Sequence, residues 1–321
     1  MTNRVLITGG AGFIGSHVAE RFLDSGWSVT IVDDLTSGKP ENVPQSAKFH
    51  EMAVGSPDFA SLIESGQFDV IAHLAAQVDV RRSVEDPVAD ATTNILGTLA
   101  IGEAVRRSNR RTRIVFASTG GAVYGNFNSP PVVETLPKDP ESPYAVSKLS
   151  AELYLAYYGR VHGLDSVSLR FSNVYGPRQD PHGEAGVVAI FCGRIVEGVP
   201  LVVFGDGSQT RDYVYVRDVA SAVYLAATVA LPAAGRVDDR AFNIGTGRPT
   251  TVLELAAILQ READGAVEIE FAPRRLGEQQ DSSVDAGKAE KVLGWKPEVS
   301  LERGLAESFG WFAERITRTE V

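Results

Sequence analysis

The sequence predicts an α/β protein whose first half forms a doubly wound parallel sheet and whose second half forms a smaller α+β lobe. Short β-branched runs alternate with segments of helical spacing up to residue 171, and the first run ends in a cluster of glycines. Strands that alternate with helices pair in parallel, with helices covering both faces of the sheet. From Asn173 onward glycine and proline become frequent and the alternation is lost, which marks the second lobe.

Each predicted element has a signal of its own, either a compact apolar run or apolar residues at helical spacing. We place the domain boundary between residues 172 and 173, giving domains over 1–172 and 173–321, and we expect a later segment, about 211–246, to pack back onto the first domain. The predicted strands are RVLIT (4–8), SVTIVDD (28–34), FDVIAHLAA (68–76), RIVFAST (113–119) and DSVSLRF (165–171). The first predicted helix is SHVAERFLDSG, which stops at Gly26. The other predicted helices cover 57–65, about 86–108, Pro143 to about His162, and 252–264.

Composition and charge exclude several classes of protein. The 321 residues carry a formal net charge of -10, which repels nucleic acid and anionic membranes, and no apolar run approaches the roughly 20 residues of a membrane span. The basic run 106–113 is interpreted as a solvated helix end. The one cysteine, Cys192, permits no intrachain disulfide and lies in an apolar segment. With no signal peptide, we expect a cytoplasmic protein, and the histidine spacing predicts no metal site.

The glycine cluster GGAGFIG, residues 9–15, lies between the first predicted strand and the first predicted helix. Glycines suit this place because the backbone turns tightly and approaches a pyrophosphate, which the amides at the helix N-terminus bind. Asp33 ends the second predicted strand, where a carboxylate accepts both ribose hydroxyls of NAD and repels the 2′-phosphate of NADP. The pattern therefore predicts a Rossmann-type domain that binds NAD.

A tyrosine and a lysine in SPYAVSKLSAELY (142–154) are the candidate reactive residues. Tyr144 and Lys148 are four residues apart and so share one face of the predicted helix. A phenol is a poor base at neutral pH, but a neighbouring ammonium and a positive nicotinamide favour the phenolate. Ser118 and Thr119 end an earlier strand. The sequence thus predicts that Tyr144 removes a proton from a substrate hydroxyl, with Lys148 also holding the nicotinamide ribose.

Together these motifs resemble the extended short-chain dehydrogenase/reductase family and, within it, the UDP-hexose 4-epimerase branch. The resemblance implies a tightly held NAD and a nucleotide-sugar substrate, and it covers nearly the whole chain, as far as LGWKP (293–297). The motifs that carry it are GGAGFIG, HLAAQVDV (73–80), STGGAVYG (118–125), YAVSK (144–148), RFSNVYGPR (170–178) and RDYVYVRDVA (211–220).

The resemblance also implies roles for individual residues. Arg211 and Arg275 match arginines that bind the substrate pyrophosphate with bidentate geometry, while Glu278 matches an acid on the nucleotide ribose and Asn173 an asparagine on the diphosphate. The residues that it places at NAD are Gly9, Gly12, Phe13, Ile14, Gly15, Asp33, Leu74, Ala75, Ala76, Tyr144 and Lys148.

Three positions depart from the family pattern. Ala122 stands where dehydratases and decarboxylases of the family carry an acid that supports elimination or decarboxylation, and this favours epimerisation. The hydroxyl of many members falls on Gly120, so we assign its role to Thr119, with Ser118 as the alternative. Ala53 replaces an aspartate that binds the adenine amino group, so NAD binding is weaker or depends on the Val54 backbone.

The resemblance implies a UDP-glucose/UDP-galactose 4-epimerase that acts as a homodimer. Similarity to the epimerase branch also implies that the position beside the C2 substituent of the sugar falls on Ser282. Its small side chain leaves room for the N-acetyl group of UDP-GlcNAc and UDP-GalNAc. The alternatives are another NAD-dependent nucleotide-sugar dehydratase or reductase, and a non-catalytic NAD-sensing protein. Intact Tyr144, Lys148 and Thr119 speak against the sensor, because a sensor does not need all three.

Overall fold

Among the described residues the main sheet contains seven strands, and all of them are parallel, as expected for the predicted doubly wound sheet. The computed structural model describes residues 2–126, 131–181, 186–263, 265–274 and 279–319. The strand order is β10-β6-β5-β4-β1-β2-β3, so the chain moves outward in both directions from β1, and the predicted doubly wound architecture is confirmed. The strands are β1 (Arg4–Thr8), β2 (Ser28–Asp33), β3 (Lys48–Glu51), β4 (Val70–His73), β5 (Arg113–Thr119), β6 (Asp165–Phe171) and β10 (Ala241–Ile244).

Helices cover both faces of this sheet because alternate strand residues point to opposite sides. Val5 and Ile7 of β1 pack with α1 and α8 on one face, whereas Leu6 packs with α2, α5 and α6 on the other. The carboxyl ends of the parallel strands meet at one edge, where ligands of such sheets bind. The helices are α1 (Phe13–Asp24), α2 (Pro57–Ser65), α3 (Val80–Glu85), α4 (Pro87–Ala91), α5 (Gly97–Ser108), α6 (Pro143–His162) and α8 (Val216–Thr228).

The second lobe contains two small sheets and its own apolar core, built mainly on α7, α9 and α11. Its central strand, β9, pairs with β7, β11 and β13, and this brings distant parts of the chain to the edge of the main sheet. The remaining elements are β7 (Asn173–Tyr175), β8 (Leu201–Phe204), β9 (Thr210–Tyr215), β11 (Pro249–Thr251), β12 (Ile269–Ala272), β13 (Asp281–Ser282), α7 (Val187–Val196), α9 (Val252–Glu262), α10 (Gly287–Leu293) and α11 (Leu301–Thr319).

Two features differ from the sequence prediction. The helix predicted at about 86–108 consists of α4, a π-helical turn at Thr92–Leu96 and α5, because the buried Asn94 side chain bonds the neighbouring loop. The short helix α3 precedes it and was not predicted. The segment 241–244, which lies within the 211–246 expected to pack back onto the first domain, forms the edge strand β10 of the main sheet beside β6. The domain boundary after residue 172 stays a prediction.

Candidate active site

The glycine cluster forms a turn that closes tightly on the main sheet. Gly9 has a φ of +70°, and a Cβ on it would lie 2.7 Å from the Ala75 backbone nitrogen. A Cβ on Gly15 would lie 2.0 Å from the Gly9 oxygen, so only glycine allows this contact. By contrast, a Cβ on Gly12 would meet only the Gly9 oxygen, at 3.2 Å. Gly12 caps α1, and the helix amides therefore face an open cradle that suits a pyrophosphate.

Asp33 lies at the end of β2 beside this cradle, at the place expected for the cofactor ribose. One carboxylate oxygen accepts the Ala11 amide at 3.0 Å and the other accepts the Leu35 amide at 2.9 Å. Burial raises the pKa of Asp33 from its ordinary value, and the two amide bonds oppose that rise. The carboxylate is thus fixed by the backbone that forms the nucleotide cradle.

The end of β4 forms the opposite wall of the cradle. Leu74, Ala75 and Ala76 are half-buried there, and the Ala75 amide donates to the Thr8 hydroxyl at 3.2 Å. Phe13 and Ile14, also half-buried, begin α1 on the other side. The sequence-predicted cofactor residues therefore meet around one open space, and their close backbone packing fits a dinucleotide.

Tyr144 and Lys148 lie on the first turns of α6. Ser142 caps this helix by accepting the Ala145 amide at 3.2 Å. The Lys148 ammonium donates to the Ala117 carbonyl at 3.0 Å and lies 5.9 Å from the centre of the Tyr144 ring. Burial lowers the pKa of Lys148 to about 8, and Asp90 and Glu152 oppose this fall. The helix thus places a buried lysine, whose pKa lies well below its ordinary value, next to the ring of a half-buried tyrosine.

The two candidate hydroxyls at the end of β5 have different surroundings. Ser118 is buried and donates to Glu152 at 2.5 Å, so its hydroxyl hydrogen is already used in a bond inside the protein. Thr119 is half-buried at the last position of the strand. A Cβ on Gly120 would lie 2.9 Å from the Arg170 carbonyl, so the next position has no room for a side chain. This geometry favours Thr119 as the hydroxyl that reaches a substrate.

Three residues predicted for the substrate lie on β9 and on the strands β7 and β13 that pair with it. Arg211 in β9 pairs with Ser282 in β13, and Asn173 in β7 pairs with Tyr213 in the same β9. A Cβ on Gly121 would lie 3.9 Å from the Asn173 Oδ1 and 4.0 Å from the Ser282 Oγ. Ser282, Asn173 and the glycine bend therefore surround one small polar space.

The remaining substrate residues, Arg275 and Glu278, lie outside the described residues. A cavity of about 220 Å³ includes Arg274, the last described residue before them. It adjoins the start of β9, because the Thr210 amide donates to the Gln280 carbonyl at 2.9 Å. Its other lining residues are Phe204, Gly205, Asp206, Ser208, Gln209, Gln279 and Gln280.

Two buried polar clusters behind the site were missed by the sequence interpretation. The first joins Glu152 to Arg170, whose Nη2 lies 2.6 Å from the carboxylate, with both side chains fully buried. The second joins Asp90, Asn94 and Gln77 below the end of β4. The sequence held one signal for the first cluster: Glu152 comes four residues after Lys148 in YAVSKLSAE and so lies on the same helix face.

Within the described ranges, no three histidine, cysteine or acidic side chains gather closely enough to hold a metal ion. In the same part of the chain, no helix combines the length and the apolar character that crossing a membrane requires.

Fold and site together define a Rossmann-type enzyme of the short-chain dehydrogenase/reductase class. The profile of the NAD dependent epimerase/dehydratase family matches residues 5–245. The chain is 43% identical over 317 residues to a UDP-glucose 4-epimerase of Mycolicibacterium smegmatis, covering 97% of this chain and 99% of that protein. This chain therefore belongs to the NAD-dependent epimerase/dehydratase family, and the prediction of NAD as cofactor is confirmed.

Two solved structures extend this similarity to the whole fold. One is the UDP-glucose 4-epimerase of Thermotoga maritima with UDP-glucose, at a TM-score of 0.91 and 43% identity, covering 98% of this chain and 99% of that one. The other is the Thermus thermophilus UDP-glucose 4-epimerase in complex with NAD, at a TM-score of 0.89 and 42% identity, covering 96% and 98%. The resemblance to the UDP-hexose 4-epimerase branch is thereby confirmed.

Proposed function

We propose that this enzyme is a UDP-glucose 4-epimerase that interconverts UDP-glucose and UDP-galactose. The observation that carries the proposal is the arrangement of Tyr144 over the buried Lys148, whose ammonium bonds the Ala117 carbonyl of β5, in a chain with a tight glycine turn suited to NAD. The polar space of Gly121, Asn173 and Ser282 lies on the substrate side. This is the set of groups needed to remove a proton from a sugar hydroxyl next to a bound nicotinamide.

The proposed mechanism assigns one task to each side chain. Tyr144 takes the proton of the 4-hydroxyl, and Thr119 holds the same oxygen by a hydrogen bond. Lys148 stabilises the phenolate through its positive charge. NAD, when bound, supplies a reversible hydride acceptor for C4, which becomes a ketone. After the sugar has turned its other face, C4 would regain the hydride on that face while Tyr144 returns the proton to the 4-oxygen.

The lining of the polar space supports epimerisation over dehydration. Ala122, which is half-buried, offers no acid to support loss of a 6-hydroxyl. Gly121 leaves its side-chain position open, with its nearest neighbours 3.9 and 4.0 Å from a built Cβ. A sugar that must turn over between two hydride transfers needs such room.

The test is an interconversion assay with purified protein. We expect bound nicotinamide in the preparation, conversion of UDP-glucose to UDP-galactose and the reverse, and no unsaturated or 6-deoxy product. Release of a 4-keto-6-deoxy sugar would identify a dehydratase instead. Bound nicotinamide without turnover of either sugar would favour the sensor alternative.

We also propose that the enzyme accepts UDP-GlcNAc and UDP-GalNAc. Ser282 is half-buried beside Gly121, and its side chain is much smaller than a tyrosine. An acetamido group therefore has space that a bulky residue would fill. In Ser282→Tyr, kcat/KM for the N-acetyl sugars should fall far more than kcat/KM for UDP-glucose. An unchanged ratio between the two substrate pairs would show that Ser282 does not limit the pocket.

A homodimer in the cytoplasm completes the proposal. Large apolar side chains are exposed on α3, α4, the π turn and α6, which pack against one another. Exposed apolar side chains gathered on helices that pack together are typical of a protein interface. Cys192 is a free buried thiol, which suits a reducing compartment. The exposed apolar side chains are Val84, Val88, Leu96, Val146, Leu153, Tyr154, Tyr157 and Val161.

A further inference from the structure

The proposed role of Lys148 requires that its buried side chain stay protonated. Its side chain is only 3% exposed, and burial lowers its pKa to about 8. A lysine with such a pKa is partly neutral under mildly alkaline conditions. A neutral Lys148 cannot stabilise a phenolate on Tyr144. Some nearby negative charge must therefore keep the ammonium protonated.

Two carboxylates act on Lys148, but one of them is already neutralised. Glu152 faces it from the same helix, yet Arg170 of β6 donates to both Glu152 oxygens, at 3.0 to 3.1 Å through Nε and at 2.6 Å through Nη2. Ser118 adds a further bond to this carboxylate. The Glu152 charge is thus largely balanced by a guanidinium in direct contact.

Asp90 of α4 is the other carboxylate, and its hydrogen-bond partners are neutral. One oxygen accepts the Gln77 and Asn94 side-chain amides, each at 3.0 Å, and the other accepts the Ser147 hydroxyl at 2.6 Å. Asp90 is 1% exposed. Because Ser147 immediately precedes Lys148 on α6, the carboxylate lies against the same turn of the helix.

The other titratable groups among the described residues around α6 are neutral, exposed to solvent or paired elsewhere, so they affect the charge of Lys148 less than Asp90 does. His73 of β4 lies between the Thr8 and Thr98 hydroxyls, at 2.8 and 3.1 Å, and burial lowers its pKa to about 3, so it is neutral. On α3, Arg81, Arg82 and Glu85 are exposed to solvent. On α5, Glu103 is paired with Arg106 near the far end of α6.

We infer that Asp90 is a positioning residue for catalysis, which holds Lys148 in its protonated form through an uncompensated buried charge. The inference rests on the proposed roles of Tyr144 and Lys148. Removing the charge favours the neutral amine, so Lys148 loses its proton at lower pH. Without the ammonium, the Tyr144 phenolate is less favoured and forms at higher pH.

The direct test is an NMR titration of ¹³C-labelled lysine in the protein as purified. The chain has seven lysines, and Lys148→Met assigns the signal of interest. In Asp90→Asn, which keeps the shape and can still bond Gln77, Asn94 and Ser147, the Lys148 midpoint should fall by about one pH unit or more. Asp86→Asn is the matched control, because Asp86 is exposed on the same short helix and asparagine also caps it. That variant should leave the midpoint unchanged.

A kinetic measurement separates this role from a purely structural one. The pH profile of kcat should narrow in Asp90→Asn, its acid limb moving up and its alkaline limb moving down. A loss of stability alone would lower kcat equally at all pH values and would contradict the inference, as would an unmoved Lys148 midpoint. A wild-type protein without epimerase activity would count against the proposed function but leave the titration test intact.

A second titration uses the wild-type protein and therefore tests the inference even if Asp90→Asn fails to fold. The ¹³Cγ signal of Asp90 in the wild type should inflect at the pH where Lys148 loses its proton, because a positive charge that interacts with it across the α4–α6 contact disappears there. A flat Asp90 signal through that midpoint would overturn the inference.

Discussion

At the scale of single residues, loss of the Tyr144 hydroxyl should reduce turnover without reducing nucleotide binding. Tyr144→Phe removes the hydroxyl and leaves the ring over Lys148, so nucleotide binding should persist. Turnover should fall about 100-fold or more, the effect of losing a general base. The measurement is kcat for UDP-galactose together with the bound nicotinamide content, and near-normal turnover would remove Tyr144 from the base role.

The two hydroxyls at the end of β5 allow an internal comparison. Thr119→Val replaces the half-buried hydroxyl by a methyl group of similar size, and we expect it to lose far more activity than Ser118→Ala. Ser118→Ala removes a buried bond to the Glu152 carboxylate and should cost about 1.5 to 3 kcal/mol of unfolding free energy. Activity and urea unfolding of both variants give the result, and the reverse order of activity would assign the role to Ser118.

At the scale of elements, α6 is anchored by a buried ion pair as well as by packing. Arg170 is fully buried and binds Glu152 of α6, the Tyr124 hydroxyl at 2.9 Å and Asp238 at 2.9 Å. Glu152→Ala leaves the guanidinium without its main partner, and we expect a loss of about 3 kcal/mol, the lower end for a broken buried pair. Asp238 still binds it, which limits the loss.

Urea unfolding monitored by circular dichroism measures this change, and Glu152→Gln is the matched variant. Glutamine retains the length and one acceptor oxygen, so its loss should be smaller than that of alanine. Equal stability of Glu152→Ala and the wild type would show that the pair contributes nothing net. The pair would then be one whose desolvation cost matches its attraction.

The same elements show what the sequence could and could not predict. The main strands and α6 follow from compact apolar runs and helical spacing, which depend on neighbours along the chain. The π turn at Thr92–Leu96 depends on the Asn94 side chain, which bonds the backbone carbonyl of Gln77 across a loop. A contact between distant residues leaves no local period, so the turn and the Asp90 cluster could not be predicted from the sequence.

The candidate site shows the same limit. The glycine cluster, Asp33, Tyr144 and Lys148 belong to short motifs, and each lies at the strand ends or helix start where its motif predicts it. The choice between Ser118 and Thr119 needed the position of Glu152. That position depends on how α6 packs on β5, which no pattern within either segment defines.

At the scale of the whole molecule, the surface of α3, α4 and α6 that exposes apolar side chains predicts self-association. Leu153→Glu places a charge at a side chain that is 51% exposed, where the monomer should tolerate it. We expect the wild type to sediment as a dimer and the variant as a monomer. Thr228→Glu on α8, which is exposed outside this surface, is the control and should remain dimeric. A monomeric wild type at micromolar concentration would contradict the prediction.

The position of β10 at the edge of the main sheet has a consequence for synthesis of the chain on the ribosome. β6 ends at Phe171, but its outer neighbour β10 ends only at Ile244. At 5 to 20 residues per second, the intervening 73 residues take about 4 to 15 s to translate. During this interval β6 has unpaired backbone groups on its outer edge, the kind of edge on which other chains add strands. The nascent chain is therefore most exposed to misassembly after its cofactor-binding motifs have been made and before its sheet is complete.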